Sequence, residues 1–283
     1  MSEYQSYEFV ALDRPLTADE MAELRAISTR AEITPTRFWN EYHWGDLKAD
    51  PADLLARYFD VHVYFANWGT RRLLLRLPRA AVDVAALCAY LPGGPAALTT
   101  TGEHAVVDLC SETDEPEDDW YQAQHLCGSL TPLRAELLRG DLRAAYLAWL
   151  LAVQDRRVAE ETMEPSVPHG IGSPSAPLQA LAGFLRLDGD LLAAAAEADA
   201  ETGRATDEAG RFRTWVEDLP VPEQRRWLLR AAAQPELPLG AELLTAFRRA
   251  HPPAAAPRRT VGELLGRAAQ LRATRRHGAL RRR

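Results

Sequence analysis

The sequence has almost no lysine, few cysteines and no long apolar run. Of its 33 basic residues only Lys48 is a lysine, a bias typical of GC-rich bacterial genomes and no sign of RNA binding. The three cysteines are too few and too irregularly spaced for a disulfide framework, so we expect a reducing compartment and small buried thiols at Cys88, Cys110 and Cys127. No apolar stretch approaches the roughly 18–20 residues of a membrane span, and no secretory signal opens the sequence. These absences predict a cytoplasmic protein without a membrane span.

Charge is distributed unevenly along the chain. The segment from Arg258 to Arg283 holds nine arginines against Glu263 alone, so the formal net charge of -7 divides into a basic tail and a remainder of -15. Hydrophobic residues make up 47% of the 283 residues and charged residues 26%. This composition is typical of a globular protein that buries a sizeable core.

Residues 1–127 alternate between strand and helix signals. Thr17 and Glu20 form a capping-box pattern at the start of one helix, and Asp50-Pro51 is typical of the start of another. Trp68-Gly69-Thr70 separates two apolar runs, which predicts a tight hairpin. The predicted strands are 7–13, 36–44, 61–67, 71–77 and a pair around 101–103, with a further helix at 81–90. We expect an α+β domain with a mixed or antiparallel sheet.

Strand signals disappear after about residue 127. Asp141 is placed to cap "LRAAYLAWLLAVQ", which is apolar on nearly every side and therefore predicts a buried central helix. Residues 164–178 are rich in proline and predict an irregular segment. Other helices are expected at 132–139, 178–186, 189–199, 207–218, 222–233, 240–250 and 259–276. The pattern predicts an all-helical domain over 128–257, followed by a basic amphipathic C-terminal helix over 258–283.

The segment "TRFWNEYHWGD", residues 36–46, concentrates side chains that could carry chemistry. Its alternation places Phe38 and Tyr42 on one side of a strand and the charged side chains on the other. If the strands at 61–67 and 71–77 are its neighbours, one polar sheet face results. We expect this polar face to consist of Arg37, Glu41, His43, His62, Tyr64, Arg72 and Arg76.

Two interpretations of this polar face remain open. In the first, a groove binds an anionic small molecule through its arginines while His43 or Glu41 transfers protons. In the second, the face is solvated or covered by helices and is crossed by ion pairs without catalytic activity. Neither Glu41, His43 and Asp46 nor Cys110, His125 and Cys127 have the spacing of a recognised metal site, and we expect neither a metal nor another cofactor.

Two charged segments are candidate contact surfaces. Residues 111–119 hold six carboxylates and predict a mobile solvated loop, with a docking surface for a basic partner as the alternative. The C-terminal segment combines an apolar stripe with arginines on its other face. Such a helix could dock on a partner helix, an anionic membrane surface or nucleic acid, or fold back on the acidic part of the chain.

Several segments resemble those of a known group of proteins. On "YEFVALDRPLT", "NEYHWGDLKADP", "ANWGTRRLLLRLP" and "LRAAYLAWLLAVQ" the chain resembles a family of bacterial proteins of unknown function, up to about residue 250. Similar proteins continue into a longer helical C-terminus, so the resemblance implies that this chain is a shortened form. It implies no catalytic residue.

We therefore expect a cytoplasmic bacterial protein that acts as a non-catalytic interaction or scaffold protein, with its protein partner and oligomeric state left open. The first alternative is an enzyme that acts on an anionic small molecule, with His43 and Glu41 as acid and base and Arg72 and Arg76 as anion ligands. The second is binding of nucleic acid or an anionic surface through Arg258–Arg283.

Overall fold

A single antiparallel sheet organises the N-terminal half of the molecule. The computed structural model describes residues 3–114, 126–202, 208–233, 239–251 and 258–280. Seven strands pair in the order β2-β3-β1-β4-β5-β7-β6. Their bounds are β1 Gln5–Val10, β2 Glu32–Thr34, β3 Arg37–Tyr42, β4 Val61–Ala66, β5 Thr70–Pro78, β6 Ala96–Thr101 and β7 His104–Glu112. The α+β prediction is confirmed, and every pairing is antiparallel.

Three helices are interspersed with the strands, and further helices follow them. The first three are α1 Ala18–Ile27, α2 Pro51–Tyr58 and α3 Val84–Cys88, and a 3-10 turn covers Arg79–Ala81. The others are α4 Pro132–Leu138, α5 Arg143–Gln154, α6 Ala176–Phe184, α7 Gly189–Thr202, α8 Glu208–Asp218, α9 Val221–Ala233, α10 Leu239–Ala250 and α11 Val261–Leu280. The helical second half is therefore confirmed.

Side-chain caps fix where the early helices begin. Thr17 and Glu20 form the expected capping box of α1, and Asp50 accepts a hydrogen bond from Ala52 N at the start of α2. The helix predicted at 81–90 is wrong in length. Asp83 adopts an extended conformation and caps Ala86 N, so α3 begins only after it.

The strand predictions need two corrections. The first strand lies at Gln5–Val10 rather than at 7–13, because the backbone leaves the sheet after Val10 and Leu12 N bonds to the Asp60 side chain instead. The short strand Glu32–Thr34 was not predicted, since it has only three residues and no apolar alternation to mark it.

The two faces of the sheet are covered differently. We call the side that carries Phe9, Phe38 and Leu74 the outer face, and it packs against α1 and α2. The opposite side, with Val63 and Leu73, is the inner face, and it packs against the C-terminal helices. Residues paired directly across neighbouring strands share a face, so the strand register assigns every sheet side chain to one of the two.

The inner face and the helices build one hydrophobic core. Every residue of α5 from Ala144 to Val153 is buried, which confirms the predicted buried central helix. The same cluster contains sheet residues such as Leu73 and helix residues such as Leu181. Residues on both sides of position 127 therefore share a core, and the domain boundaries at 127 and 257 stay predictions.

Candidate functional site

The polar face expected from the sequence is divided between the two faces of the sheet. Strand β1 lies between β3 and β4, so the three strands invoked in the prediction are not all neighbours. The register pairs Trp39 with Glu8 and Glu8 with Val63, which places Arg37 and Glu41 on the inner face. It also places four residues on the outer face, namely His62, Tyr64, Arg72 and Arg76. The single polar face is therefore wrong, although the binding role of each residue stays a prediction.

All three arginines of the predicted binding set lie in ion pairs within the chain. Arg37 Nε donates to Glu8 Oε1 over 2.6 Å. Arg72 forms two hydrogen bonds to the carboxylate of Asp108, at 2.9 and 2.7 Å. Arg76 Nη2 lies 2.7 Å from Asp60 Oδ1. Each of these guanidiniums therefore already has a carboxylate partner within the chain.

The proposed acid and base lie at the edge of the inner face. His43 follows β3 with a side chain that is 54% exposed, and its Nε2 lies 3.9 Å from Glu41 Oε1. Its ring packs edge-on against the Tyr4 ring. Burial, and after it the charge of Glu41, raises the pKa of Tyr4 to about 12. Glu41 and Arg72 point to opposite sides of the sheet, so the predicted acid, base and anion ligands do not line one groove.

His62 is a buried structural histidine. Its ring lies 4.0 Å, between centroids, from that of Phe9, and Nδ1 lies 3.0 Å from the carbonyl oxygen of Glu8. Burial lowers the pKa of His62 to about 3. Nε2 is buried and has no hydrogen-bond partner among the described residues. The neutral imidazole therefore donates through Nδ1 and presents a bare nitrogen to the core.

Tyr64 belongs to a hydrogen-bonded group on the outer face. Its hydroxyl donates to Gln5 Oε1 over 2.9 Å, while Gln5 Nε2 donates to the carbonyl oxygen of Gly45. Tyr7 donates to Asp46 Oδ1 over 2.5 Å. These contacts attach the turn after β3 to β1 and β4. Burial is the main cause that raises the pKa of Tyr64 to about 12.

A buried charge network that the sequence did not indicate joins the sheet to α4. Asp60 accepts hydrogen bonds from the backbone N–H groups of Leu12 and Asp13 as well as from Arg76. Arg134 binds the Asp13 carboxylate at 2.9 and 2.6 Å and donates to the Arg76 carbonyl oxygen. Burial raises the pKa of Asp60, but the hydrogen bonds and Arg134 outweigh it and lower the pKa overall. An arginine among the leucines of α4 is the sequence feature that could have indicated this network, but Arg134 was not singled out.

The C-terminal helix packs against the acidic part of the chain. Helix α11 lies along α7, where Arg267 binds Glu197 and Arg275 binds Asp190, both at 2.6 Å. Arg272 pairs with Asp188. At the start of the segment, Arg259 binds the buried Glu164, also at 2.6 Å. These arginines neutralise carboxylates of this chain, and residues 281–283 lie outside the described part.

The cysteines differ in exposure. Cys127 is buried as expected, Cys110 is half-buried, and Cys88 is exposed, which corrects the expectation of three buried thiols. Burial raises the pKa of Cys110 to about 11 and that of Cys127 to about 12. His125 and residues 115–119 of the acidic segment lie outside the described residues. Within the described ranges, no three His, Cys, Asp or Glu side chains come close enough together to hold a metal ion.

Helix α9 presents an unusual surface to solvent. Three of its aliphatic side chains are largely exposed, namely Val221 (74%), Leu228 (71%) and Leu229 (60%), and no residue of the helix is buried. A groove of about 650 Å³ lies against Val221 and Leu229, and Leu228 lies beside it on the helix. It is lined by Val221, Pro222, Arg225, Arg226, Leu229, Arg230 and Ala233.

Two polar side chains of α9, Gln224 and Arg230, contact its neighbours. Gln224 Nε2 donates to the carbonyl oxygens of Val216, Glu217 and Leu219 at the end of α8. Arg230 pairs with Glu242 of α10 at 3.0 Å. Helix α9 is thus attached through hydrogen bonds and an ion pair, while its leucines point outward. The helix itself was predicted at 222–233, but an amphipathic pattern does not reveal which side faces the protein.

Comparisons with known proteins identified no relative of this chain. No protein-family profile, curated protein or solved structure matches the chain. Of the helices that the structure describes, none is both long enough and apolar enough to cross a lipid bilayer.

Proposed function

We propose that this chain is a non-catalytic, cytoplasmic protein-interaction protein that docks an acidic amphipathic helix of a partner protein on α9. The observation that carries the proposal is the exposure of Val221, Leu228 and Leu229 on one helix that is attached to its neighbours through Gln224 and Arg230. Contiguous exposed aliphatic side chains on a folded protein are typical of interaction sites.

The chemistry of the partner follows from the charges beside these leucines. Arg225 and Arg226 are exposed, line the groove and have no ion-pair or hydrogen-bond partner among the described residues. Together they place two positive charges side by side on a chain whose formal net charge is -7. An amphipathic helix with leucines on one face and carboxylates beside them would bury the aliphatic groups and pair with both guanidiniums.

The alternative roles receive less support from the geometry. The candidate acid, base and anion ligands lie on two faces of the sheet, and the arginines among them are paired. Of the nine arginines in the tail, Arg259, Arg267, Arg272 and Arg275 bind carboxylates of this chain, which leaves fewer of them for phosphate contacts with a polyanion.

A synthetic peptide tests the proposal without knowledge of the natural partner. The probe is a fluorescein-labelled helix of about 20 residues, with leucines along one face and glutamates elsewhere, and a scrambled peptide of the same composition is the reference. We expect micromolar binding of the amphipathic peptide, measured by fluorescence anisotropy. Leu228→Ser combined with Leu229→Ser should weaken binding by more than about tenfold, because burial of a leucine contributes about 1.5–3 kcal/mol.

The matched control is Leu12→Ser, which changes another exposed leucine outside α9. It should leave peptide binding unchanged. Thermal unfolding of all variants should shift little, since none of these leucines is buried in the folded chain. Equal affinity for the amphipathic and scrambled peptides, or binding that survives the double serine substitution, would overturn the proposal.

A further inference from the structure

Strand β6 forms one edge of the sheet and lacks the features that usually prevent pairing with another strand. It pairs with β7 on one side only, and Thr99, Thr100 and Thr101 are exposed. Its sequence, AALTTT, has no charged residue and no proline, which are the usual devices against edge-to-edge pairing. The opposite edge, β2, has only three residues, and its Glu32 binds Arg37.

Hydrogen bonds around the start of β6 define which backbone groups point outward. The Pro95 carbonyl oxygen accepts from Cys110 N of β7, whereas Ala96 exchanges two hydrogen bonds with Gly93 on the opposite side. Residues of an antiparallel strand alternate in this respect, so Thr99 bonds toward β7. Leu98 and Thr100 therefore direct their N–H and C=O groups away from the sheet, and no described residue bonds to these groups.

The outward groups suit a second copy of the same strand. If two β6 strands meet antiparallel about a two-fold axis at Thr99, Leu98 of one copy lies opposite Thr100 of the other. Each such pair exchanges two hydrogen bonds, which satisfies every outward group of the two residues. The two Thr99 side chains then face each other across the axis, and neither charge nor bulk opposes their contact.

We infer that two copies of this chain associate through antiparallel β6 strands, so that their sheets join into one. A second copy fits better than a foreign peptide because the outward groups are confined to two residues placed symmetrically about Thr99. Gly93 already occupies the edge beside Ala96, which leaves no long track for an extended ligand. The inference uses no part of the α9 surface and is independent of the proposed function.

Sedimentation equilibrium over about a hundredfold range of micromolar concentrations tests the association. We expect a reversible monomer–dimer equilibrium, since a two-residue seam buries less surface than a permanent interface. Thr100→Pro should weaken the dimer by about tenfold or more while the monomer stays folded, because it removes an outward N–H that has no bond within the chain. The double serine variant of Leu228 and Leu229 should leave the equilibrium unchanged, which separates it from self-association through α9.

Charged substitutions at Thr99, which lies on the two-fold axis, test the arrangement of the two strands more specifically. Thr99→Lys and Thr99→Glu should each be monomeric, because like charges meet across the axis, whereas a mixture of the two should form heterodimers. The control Thr36→Lys, at an exposed threonine between β2 and β3, should dimerise like the parent protein.

Amide hydrogen exchange, measured at low and high concentration, identifies the seam. Dimerisation should slow exchange at Leu98 and Thr100, while the Thr99 amide should be protected at both concentrations. A protein that stays monomeric throughout the range would overturn the inference. The inference would also be overturned if a mixture of Thr99→Lys and Thr99→Glu dimerised no more tightly than either variant alone.

Discussion

The pH dependence of stability should depend strongly on His62. In the folded chain the pKa of His62 lies at about 3, because burial penalises the imidazolium. An unfolded chain returns it to about 6.5. Below pH 6.5, His62 therefore binds a proton in the unfolded state but not in the native state. The free energy of unfolding falls as the pH decreases from 6.5 toward 3. The contribution is intact above pH 6.5.

The magnitude follows from the difference between the two pKa values. Each pH unit within this window costs about 1.4 kcal/mol, so His62 alone should remove about 2 kcal/mol between pH 7.5 and pH 5.0. The structural reason is Nε2, which would carry an unpaired N–H in the core once protonated. His62→Leu fills the site with an apolar group that cannot titrate, and it should abolish this part of the slope.

Urea unfolding at pH 7.5 and pH 5.0 measures the effect. His62→Leu also loses the hydrogen bond to the Glu8 carbonyl oxygen, but that penalty is the same at both pH values and cancels in the comparison. His43→Gln, which changes a histidine with an exposed side chain, is the control and should behave like the parent protein. Equal losses of unfolding free energy for the parent and for His62→Leu would refute the reasoning.

Two further substitutions test contacts that join separate elements of the fold. Arg134→Met should lower the free energy of unfolding by about 2–4 kcal/mol in urea titrations, because Asp13 loses its ion-pair partner and the buried Asp60 keeps only Arg76 as a counter-charge. Arg139→Met, at an exposed arginine of the same segment, should cost little. Gly69→Ala should lower the melting temperature far more than Gly45→Ala, although φ is positive at both glycines. A Cβ atom at Gly69 would lie 2.0 Å from a backbone carbonyl oxygen, and one at Gly45 meets nothing within 4 Å. Similar losses for the two glycines would contradict this.

Local structure could be predicted from the sequence because its causes are local. Thr17 and Glu20 lie three residues apart and cap α1 by themselves, and alternation from Arg37 to Tyr42 marks β3 whatever its neighbours are. The apolar run of α5 predicts burial in the same way. Each of these signals is complete within one turn or one strand.

The candidate site could not be predicted because it depends on distant pairings. Insertion of β1 between β3 and β4 decides that Arg37 and Arg72 point to opposite sides, and no short stretch of sequence encodes that order. For α9, the pattern of "RRWLLR" is amphipathic in either orientation. Only the contacts of Gln224 and Arg230 show which side of the helix faces the protein.

The central claim is that α9 binds an acidic partner helix, and charge reversal tests it most directly. The parent protein should bind the leucine–glutamate peptide more tightly than a leucine–lysine peptide of the same design. Arg225→Glu combined with Arg226→Glu should reverse that preference in anisotropy titrations at low salt, since both side chains line the groove without a partner among the described residues. Unchanged affinities of both peptides for the parent and the charge-reversed protein would contradict the account.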